Sequence, residues 1–414
     1  MRTRQHSILF VAISGLLPLL MAGCGRSAEA IQRLTVQVDS IGDTVRVVLS
    51  GTLDSAATRD LVAEHTLRPA HGETAALSDI SEVEIDRRGR VWAFDPGSRS
   101  LALFAPTGEL IRRVGRAGAG PGEFGCVSGM TVLADDGLGL WDPCNGRVVL
   151  LDSAGVERGS VRTPSGYRGY DGLKHDRDGA LYIKQPIRDL QGAGGNNPIG
   201  LMPLAADGRP GAIIAPPQIP VSEIRYVDAS GGSIAASQSP RLTWVWHPDG
   251  YLVAATGAAY RVVLVRREGK PLVLIREGVP PVPLLEAERE AERLGIVETL
   301  REGQPDWQWR GPELPRVKLP ITSLFVGRDG LIWVRVATPS VEVASEELGD
   351  AGAQKRRRFA SEVRYDVYQT NGQYRLSVRV PSGTQLLEAD GDQVWGLVRD
   401  DDGLPAIVRF RVSP

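Results

Sequence analysis

Short apolar runs, each closed by a turn rich in Gly and Asp, recur along the chain. The first covers 80–86, turns at Gly89 and leads into a second run carrying Trp92. The same order returns at 130–134 with Gly137 and Trp141, at 173–175 with Gly179 and Tyr182, and at 242–246 with Gly250 and Val253. It returns again at 321–326 with Gly330 and Trp333, and at 385–388 with Gly391 and Trp395. Apolar and polar residues alternating over about four to eight positions mark strands buried on one face. Gly reaches positive φ at little cost and Asp bonds its own backbone, so each turn predicts a hairpin.

A second hairpin follows in most units. The runs are 101–105 turning at Gly108 into 110–114, 148–151 at Gly155 into 159–162, 261–266 at Gly269 into 272–275, and 363–368 at Gly372 into 374–380. Two hairpins per repeat make a four-stranded blade, and such repeats arrange radially. The expected fold is therefore all-β, a six-bladed β-propeller occupying 34–414. The last unit ends on its third strand at 407–412. An N-terminal strand, drawn from 34–38 or 45–49, is expected to close that last blade and hide its edge. The recurring bulky residue falls where a second strand faces the neighbouring blade, so Trp92, Trp141, Trp333 and Trp395 are read as packing residues.

Two stretches break the repeat. Within 279–320, Pro283 opens a helical pattern over 284–302, with Leu284, Ala287, Ala291, Leu294, Val297 and Leu300 at helical spacing and acids on the other face. This one inserted helix is expected to pack on the mouth or side of the ring. Trp307 and Trp309 follow it and are read as packing against the ring. At 341–362 a long polar loop interrupts the fifth unit, carrying Glu342, Glu346 and Glu347 before Lys355, Arg356, Arg357 and Arg358. Loops of this kind are mobile or bind something.

The first residues follow a different logic. Arg2 and Arg4 precede an uncharged stretch from Ile8 to Gly23, broken by Pro18. It is shorter than the ~20 residues a spanning helix needs and reads as a signal peptide, 1–23. Leu20, Met21, Ala22, Gly23 and Cys24 resemble the bacterial lipobox. That resemblance implies acylation of Cys24, removal of 1–23 and a tether over 24–33. Several acyl chains anchor stably where one does not. Gly25 stands where an Asp marks inner-membrane retention, which implies the outer membrane or periplasmic side of the cell envelope. Without 1–23 the chain holds 46 basic and 50 acidic side chains, a net charge of −4. That balance excludes nucleic acid as an expected partner.

The segment Gly115, Arg116, Ala117, Gly118, Ala119, Gly120, Pro121, Gly122, Glu123, Phe124 resembles the linker between NHL repeats. Val91 to Asp95, then Arg99, Leu103 and Phe104, fit the same unit, and Asp392 to Asp400 is similar to endings in that group. The chain resembles the six-bladed NHL-like propellers of bacterial lipoproteins. This resemblance implies an architecture and no particular activity.

Cys126 and Cys144 are the other cysteines. Each lies nine residues from Asp135, the centre of the second unit's first hairpin. Continued pairing would set them opposite each other at disulfide range, and an exported setting favours the bond. No nucleophile elbow, zinc-helix motif or phosphate loop occurs, and His65, His71, His175 and His247 are scattered. Asp176, Asp178 and Gly179 echo a calcium loop without its other ligands and are read as turn chemistry.

The leading expectation is a non-enzymatic module with no cofactor, binding an envelope protein or small ligand on its inter-blade face. Its expected contacts are Asp95, Asp142, Asn145, Lys184, Arg335 and Arg399. The alternative rests on a resemblance to gluconolactonase-like propellers. It is a metal-dependent hydrolase holding calcium or another divalent ion at the channel mouth through Asp95, Asp142, Asn145, Asn196 and Asn197.

Overall fold

The structure, a computed structural model, describes residues 34–53, 58–67, 82–163, 172–187, 198–266, 269–343, 358–399 and 405–414. The segments read as signal peptide and tether, with Cys24, and also His71, Asn196, Asn197 and the centre of the loop at 341–362 lie outside these residues.

The chain forms a β-propeller whose repeats are antiparallel meanders. The first meander runs Glu82–Ile85, Val91–Asp95, Ser100–Phe104 and Leu110–Val114. The second runs Met130–Val132, Leu138–Asp142, Arg147–Leu151 and Glu157–Arg162. The third has Leu173–His175, Leu181–Pro186 and Ile199–Leu204, with bridges from Leu201 to Ile214 and from Leu204 to Pro210 in place of an outer strand. The fourth runs Thr243–His247, Tyr251–Ala255, Arg261–Val265 and Leu272–Glu277. The fifth runs Ile321–Val326, Ile332–Val336, Val363–Tyr368 and Tyr374–Val380. The last runs Gln385–Asp390, Gln393–Arg399 and Pro405–Val412.

An N-terminal strand does close the last meander, but it is Thr58–Leu67, antiparallel to Pro405–Val412. The stretches at 34–38 and 45–49 are not that strand. They belong to the hairpin Thr35–Ile41 and Thr44–Ser50, whose second strand adds in parallel to Leu272–Glu277 of the fourth meander. The hydrophobic pattern explains the exchange. Val47 and Leu49 are buried against the fourth and fifth meanders, whereas Val36 and Val38 of the first strand stay exposed. The strand that closes the ring instead pairs with Pro405–Val412 from Leu61 to Leu67.

Packing between meanders follows the recurring bulky residue. Trp92 packs with Leu138 and Leu140 of the second meander, Trp141 with Leu173 and Ile183 of the third, and Tyr182 with Trp246 and Leu252 of the fourth. Val253 packs with Val334 of the fifth, Trp333 with Val394 of the last, and Trp395 with Ile85 and Val91 of the first. The circle therefore closes on itself. Each ring is buried against its neighbour, so these aromatics hold the repeats together by apolar burial.

The linker at 115–124 seals the wedge between the first two meanders. Arg116–Ala117 pairs in parallel with Glu123–Phe124, and Phe124 is fully buried edge-on to Phe94. Gly115 has φ +89°, and a Cβ there would lie 2.1 Å from the Phe124 ring. Only glycine allows the ring this approach.

The inserted helix is Glu286–Gly303. It packs on a small satellite core rather than directly on the ring. Ile296 and Leu300 are buried with Tyr226, Ala236, Trp307 and Leu314. The sequence pattern named Leu294 among the apolar face, yet Leu294 is exposed. Ile296, which falls outside that spacing, takes its place because the helix leans on the hairpin Arg225–Val227 and Ser233–Ala235, an element the repeat pattern does not reveal. Trp307 is buried and donates to the Val227 carbonyl at 2.9 Å, while Trp309 stacks on Tyr226. The polar loop begins as a ladder of Ser340–Val343 with Arg358–Ser361.

Candidate functional site

The innermost strands leave a channel along the axis, and its cavity measures about 570 Å³. Ligand pockets of small molecules fall at roughly 300–1,000 Å³. Every meander contributes. Glu84 and Arg87 come from the first, Thr131 and Ala134 from the second, Lys174, His175, Arg177 and Lys184 from the third. Trp244 and Trp246 come from the fourth, Phe325 and Arg328 from the fifth, and Leu387 and Glu388 from the last. Five cationic side chains thus share the lining with two carboxyls.

The arginines at the first-hairpin turns also fasten the ring. Arg87 donates to the Ala134 carbonyl. Arg177 pairs with Asp249, and its amide donates to the Pro248 carbonyl at 2.9 Å. Arg328 pairs with Glu388 at 3.0 Å and donates as well to the Ile85 carbonyl of the first meander. These contacts place the cavity towards the first-hairpin turns, the face opposite the inter-blade loops.

Electrostatics inside the cavity are set by burial. The carboxyl of Glu84 is pushed up to about 8 by loss of solvent, against the pull of Lys174. Loss of solvent also raises the Glu388 carboxyl, with Arg328 opposing it. His175 is pushed down to about 4 by burial and by the nearby Arg87, and its Nδ1 shares a hydrogen bond with Thr131 Oγ1 at 2.8 Å. At neutral pH the lining therefore holds a protonated Glu84, a neutral His175 and an internally compensated Arg328–Glu388 pair.

The seam between the third and fourth meanders combines charge with aromatic surface. Lys174 sits opposite Tyr182 in the strand register, and Lys184 lies two residues along from Tyr182, so strand alternation puts both lysines on the Tyr182 face. That face meets the fourth meander, where Tyr182 packs on Trp246 with ring centres 4.5 Å apart. Trp246 Nε1 donates to the His175 carbonyl at 2.9 Å, and Lys184 Nζ lies 5.9 Å from the Trp244 ring centre.

Of the residues singled out in the sequence, Lys184 lines the cavity. Asp142 is wholly buried and accepts from the amides of Gly125 and Cys126 at 2.9 and 3.0 Å and from Asn145 Nδ2 at 2.6 Å. Asn145 donates in turn to the Gly118 carbonyl. These two brace the linker and lie outside the cavity lining. Asp95 accepts from Gly97 N and Ser98 Oγ, both at 2.8 Å, and closes its own turn. Arg335 lies beside Tyr365 at a shallow cleft away from the channel, and Arg399 is exposed at a strand end. The structure brings none of these five into the cavity.

The same contacts bear on a divalent ion. Asp95 and Asp142 do not fit as ligands, because their oxygens already accept turn and linker donors, and Asn145 is turned with its amide nitrogen to Asp142 and to the Gly118 carbonyl. Among the described residues no three His, Cys, Asp or Glu side chains converge as a metal site would require. Asp176 likewise accepts from the Ala180 amide and from Tyr182 Oη at 2.6 Å.

The sulfurs of Cys126 and Cys144 lie 1.98 Å apart, with Cα atoms at 5.5 Å. Met130 pairs Leu140 and Val132 pairs Leu138, and the same register carried outward sets the two cysteines opposite each other.

Sequence reasoning missed most of the lining. A signal was present: Arg87, Arg177 and Arg328 each stand two residues before a turn glycine. Glu84 and Lys174 are charges placed on inner strands, where only a channel could solvate them.

No family model matches the chain, and no curated protein is significantly similar to it in sequence. Among solved structures, a Bacteroides fragilis protein named as a candidate for export is 11% identical, covering 89% of this chain and 100% of its own, with TM-score 0.46. Virginiamycin B lyase of Staphylococcus aureus is 9% identical, covering 85% and 99%, with TM-score 0.39. Regucalcin of Agrobacterium tumefaciens, a calcium-binding protein, is 15% identical, covering 86% and 96%, also with TM-score 0.39. Their activities are their own, and the functional reading of this chain rests on its channel.

Proposed function

We propose that the protein is a lipid-anchored β-propeller of the cell envelope that captures a small ligand in its axial channel. The reading takes the meanders as six NHL-like blades and Cys24 as the acylated residue, with the propeller carried on the tether at 24–33. The observation that carries it is the cavity of about 570 Å³, lined from every meander and rimmed by arginines already fixed to the backbone. Fixed donors around an enclosed apolar patch reduce the ordering cost of binding. The hydrolase reading needs a divalent ion, and the Asp95 and Asp142 oxygens are committed to turn and linker donors. A binding module at the envelope is therefore the better supported of the two.

Native mass spectrometry of the protein isolated from its own envelope tests this. A small-molecule adduct is expected on the wild type and should be missing from Ala134→Trp, which fills the channel mouth. An adduct retained by that variant would place the ligand elsewhere.

A further inference from the structure

We infer that the protein pairs with a second copy of itself through the strand Thr35–Ile41, joined antiparallel about a two-fold axis at Gln37. That strand ends the sheet which the fourth meander shares with the N-terminal hairpin, so one side of it has no neighbouring strand. An open strand edge is a row of amides and carbonyls ready to pair with another chain, and natural folds cover such edges or charge them. The other outer edges of this propeller are managed that way. Leu110–Val114 carries Arg112 and Arg113, and Glu157–Arg162 carries Glu157, Arg158 and Arg162. The outermost strand of the third meander is bridged to Pro210 and Ile214, and that of the fifth is paired with Thr58–Asp60. The closing strand Thr58–Leu67 carries Arg59, Asp60 and Glu64. Thr35–Ile41 has one charged side chain, Asp39, and Arg46 offsets it at 3.7 Å.

Val36 and Val38 lie opposite Leu49 and Val47 in the hairpin register and share their face of the sheet. Val47 and Leu49 are buried in the core between the fourth and fifth meanders, whereas Val36 and Val38 are 52% and 63% exposed. An open ladder beside an open apolar face calls for a strand. The hydrocarbon of a membrane could cover the valines but offers the amides no partner. The residues of the strand suit their own copy. With Gln37 on the axis, Val36 of each copy stands opposite Val38 of the other, and Thr35 stands opposite Asp39. No two carboxylates then face each other, and each meets a hydroxyl donor. Two-fold symmetry makes every such contact twice.

Gln37→Cys in the full-length protein, oxidised mildly in its own envelope, reads the register. It should link two chains reversibly, because opposite residues of an antiparallel pair lie within disulfide range. Cys126 and Cys144 are bonded to each other, and the parent chain is the blank for Cys24. Ile111→Cys, exposed on an outer strand of the first meander, should link few chains. Sedimentation of the detergent-purified protein should find two chains per particle in the wild type. Val36→Lys combined with Val38→Lys should find one, with melting unchanged because both positions are exposed. Single-chain particles in the wild type, pairs that survive the double lysine variant, or equal linking from Ile111→Cys would each overturn the inference. Pairs without the Gln37→Cys link would overturn the axis. A Gln37→Cys link to a different protein would overturn self-pairing. Flotation of a Cys24→Ser chain with phosphatidylcholine vesicles, lost when both valines are replaced, would give the face to a lipid surface instead. None of these outcomes touches the channel reading, which uses no residue of this strand.

Discussion

Arg328 donates to the backbone carbonyl of Ile85, a residue 243 positions earlier in the chain. The same guanidinium pairs with Glu388, so one side chain of the fifth meander ties together the last and the first. Ring closure is thus made twice near the axis, here and by Trp395 against Ile85.

Arg328→Met should lower stability by about 1.5–3 kcal/mol, the range for hydrogen bonds to charged groups, since it takes the guanidinium from the Glu388 carboxyl. Glu388→Gln added to it should recover part of the loss. Urea unfolding followed by tryptophan fluorescence measures both. A single variant within experimental error of wild type would mean that apolar packing alone closes the ring.

Reading of the fold from sequence succeeded where chemistry is local. The turn glycines and the bulky residue after each one are set by backbone sterics and by the wedge between repeats, and both leave a mark every few residues. The exchange between 34–38, 45–49 and Thr58–Leu67 was not legible, because alternating strands at similar distance from the chain start carry the same local signal. Only long-range burial of Val47 and Leu49 distinguishes them. The sequence reading looked to the inter-blade face, whereas the cavity lies towards the first-hairpin turns, for a related reason. Asp95 and Asp142 carry the residue type of a ligand set, but their partners are amides at Gly97, Gly125 and Cys126, whose directions depend on the folded turn. Of the lining, Lys184 was reached from its position at the end of a second strand.

Acid should weaken the fold through His247. Burial pushes this ring down to about 4, while its Nε2 bonds the Gly330 carbonyl at 3.0 Å and its Nδ1 accepts the Asp249 amide. The unfolded ring titrates near 6.5. Its contribution is therefore fully present above about pH 6.5 and is lost as pH falls towards 4. Glu84 acts in the opposite sense. Its raised carboxyl removes stability as pH climbs from about 4.5 to 8. Melting curves against pH should show His247→Gln with a shallower acid slope than wild type. Glu84→Gln should show its largest relative gain at pH 8 and none at pH 4. Parallel curves for all three proteins would remove both groups from the account.

Reducing the Cys126–Cys144 bond opens a loop with a sequence separation of 18. Loops of about that size lose roughly 3 kcal/mol in the chain-entropy account. Unfolding with and without a phosphine reductant should show this loss, and thiol counting on the unfolded, unreduced protein should find neither residue free. Two alkylatable thiols before reduction would refute the bond.

Cys24→Ser should leave the expressed protein without acyl chains and release it from the membrane fraction. Fractionation with detergent phase partitioning reads this directly. A variant still partitioning with detergent would mean that another part of the chain holds the membrane.

Capture in the channel is the central claim, and blocking the channel tests it most directly. A small-molecule library screened by ligand-detected nuclear magnetic resonance should return hits on the wild type. The same hits should vanish with Ala134→Trp, provided that variant melts as the wild type does. Hits that persist in a folded, blocked variant would contradict the account and move the site off the axis.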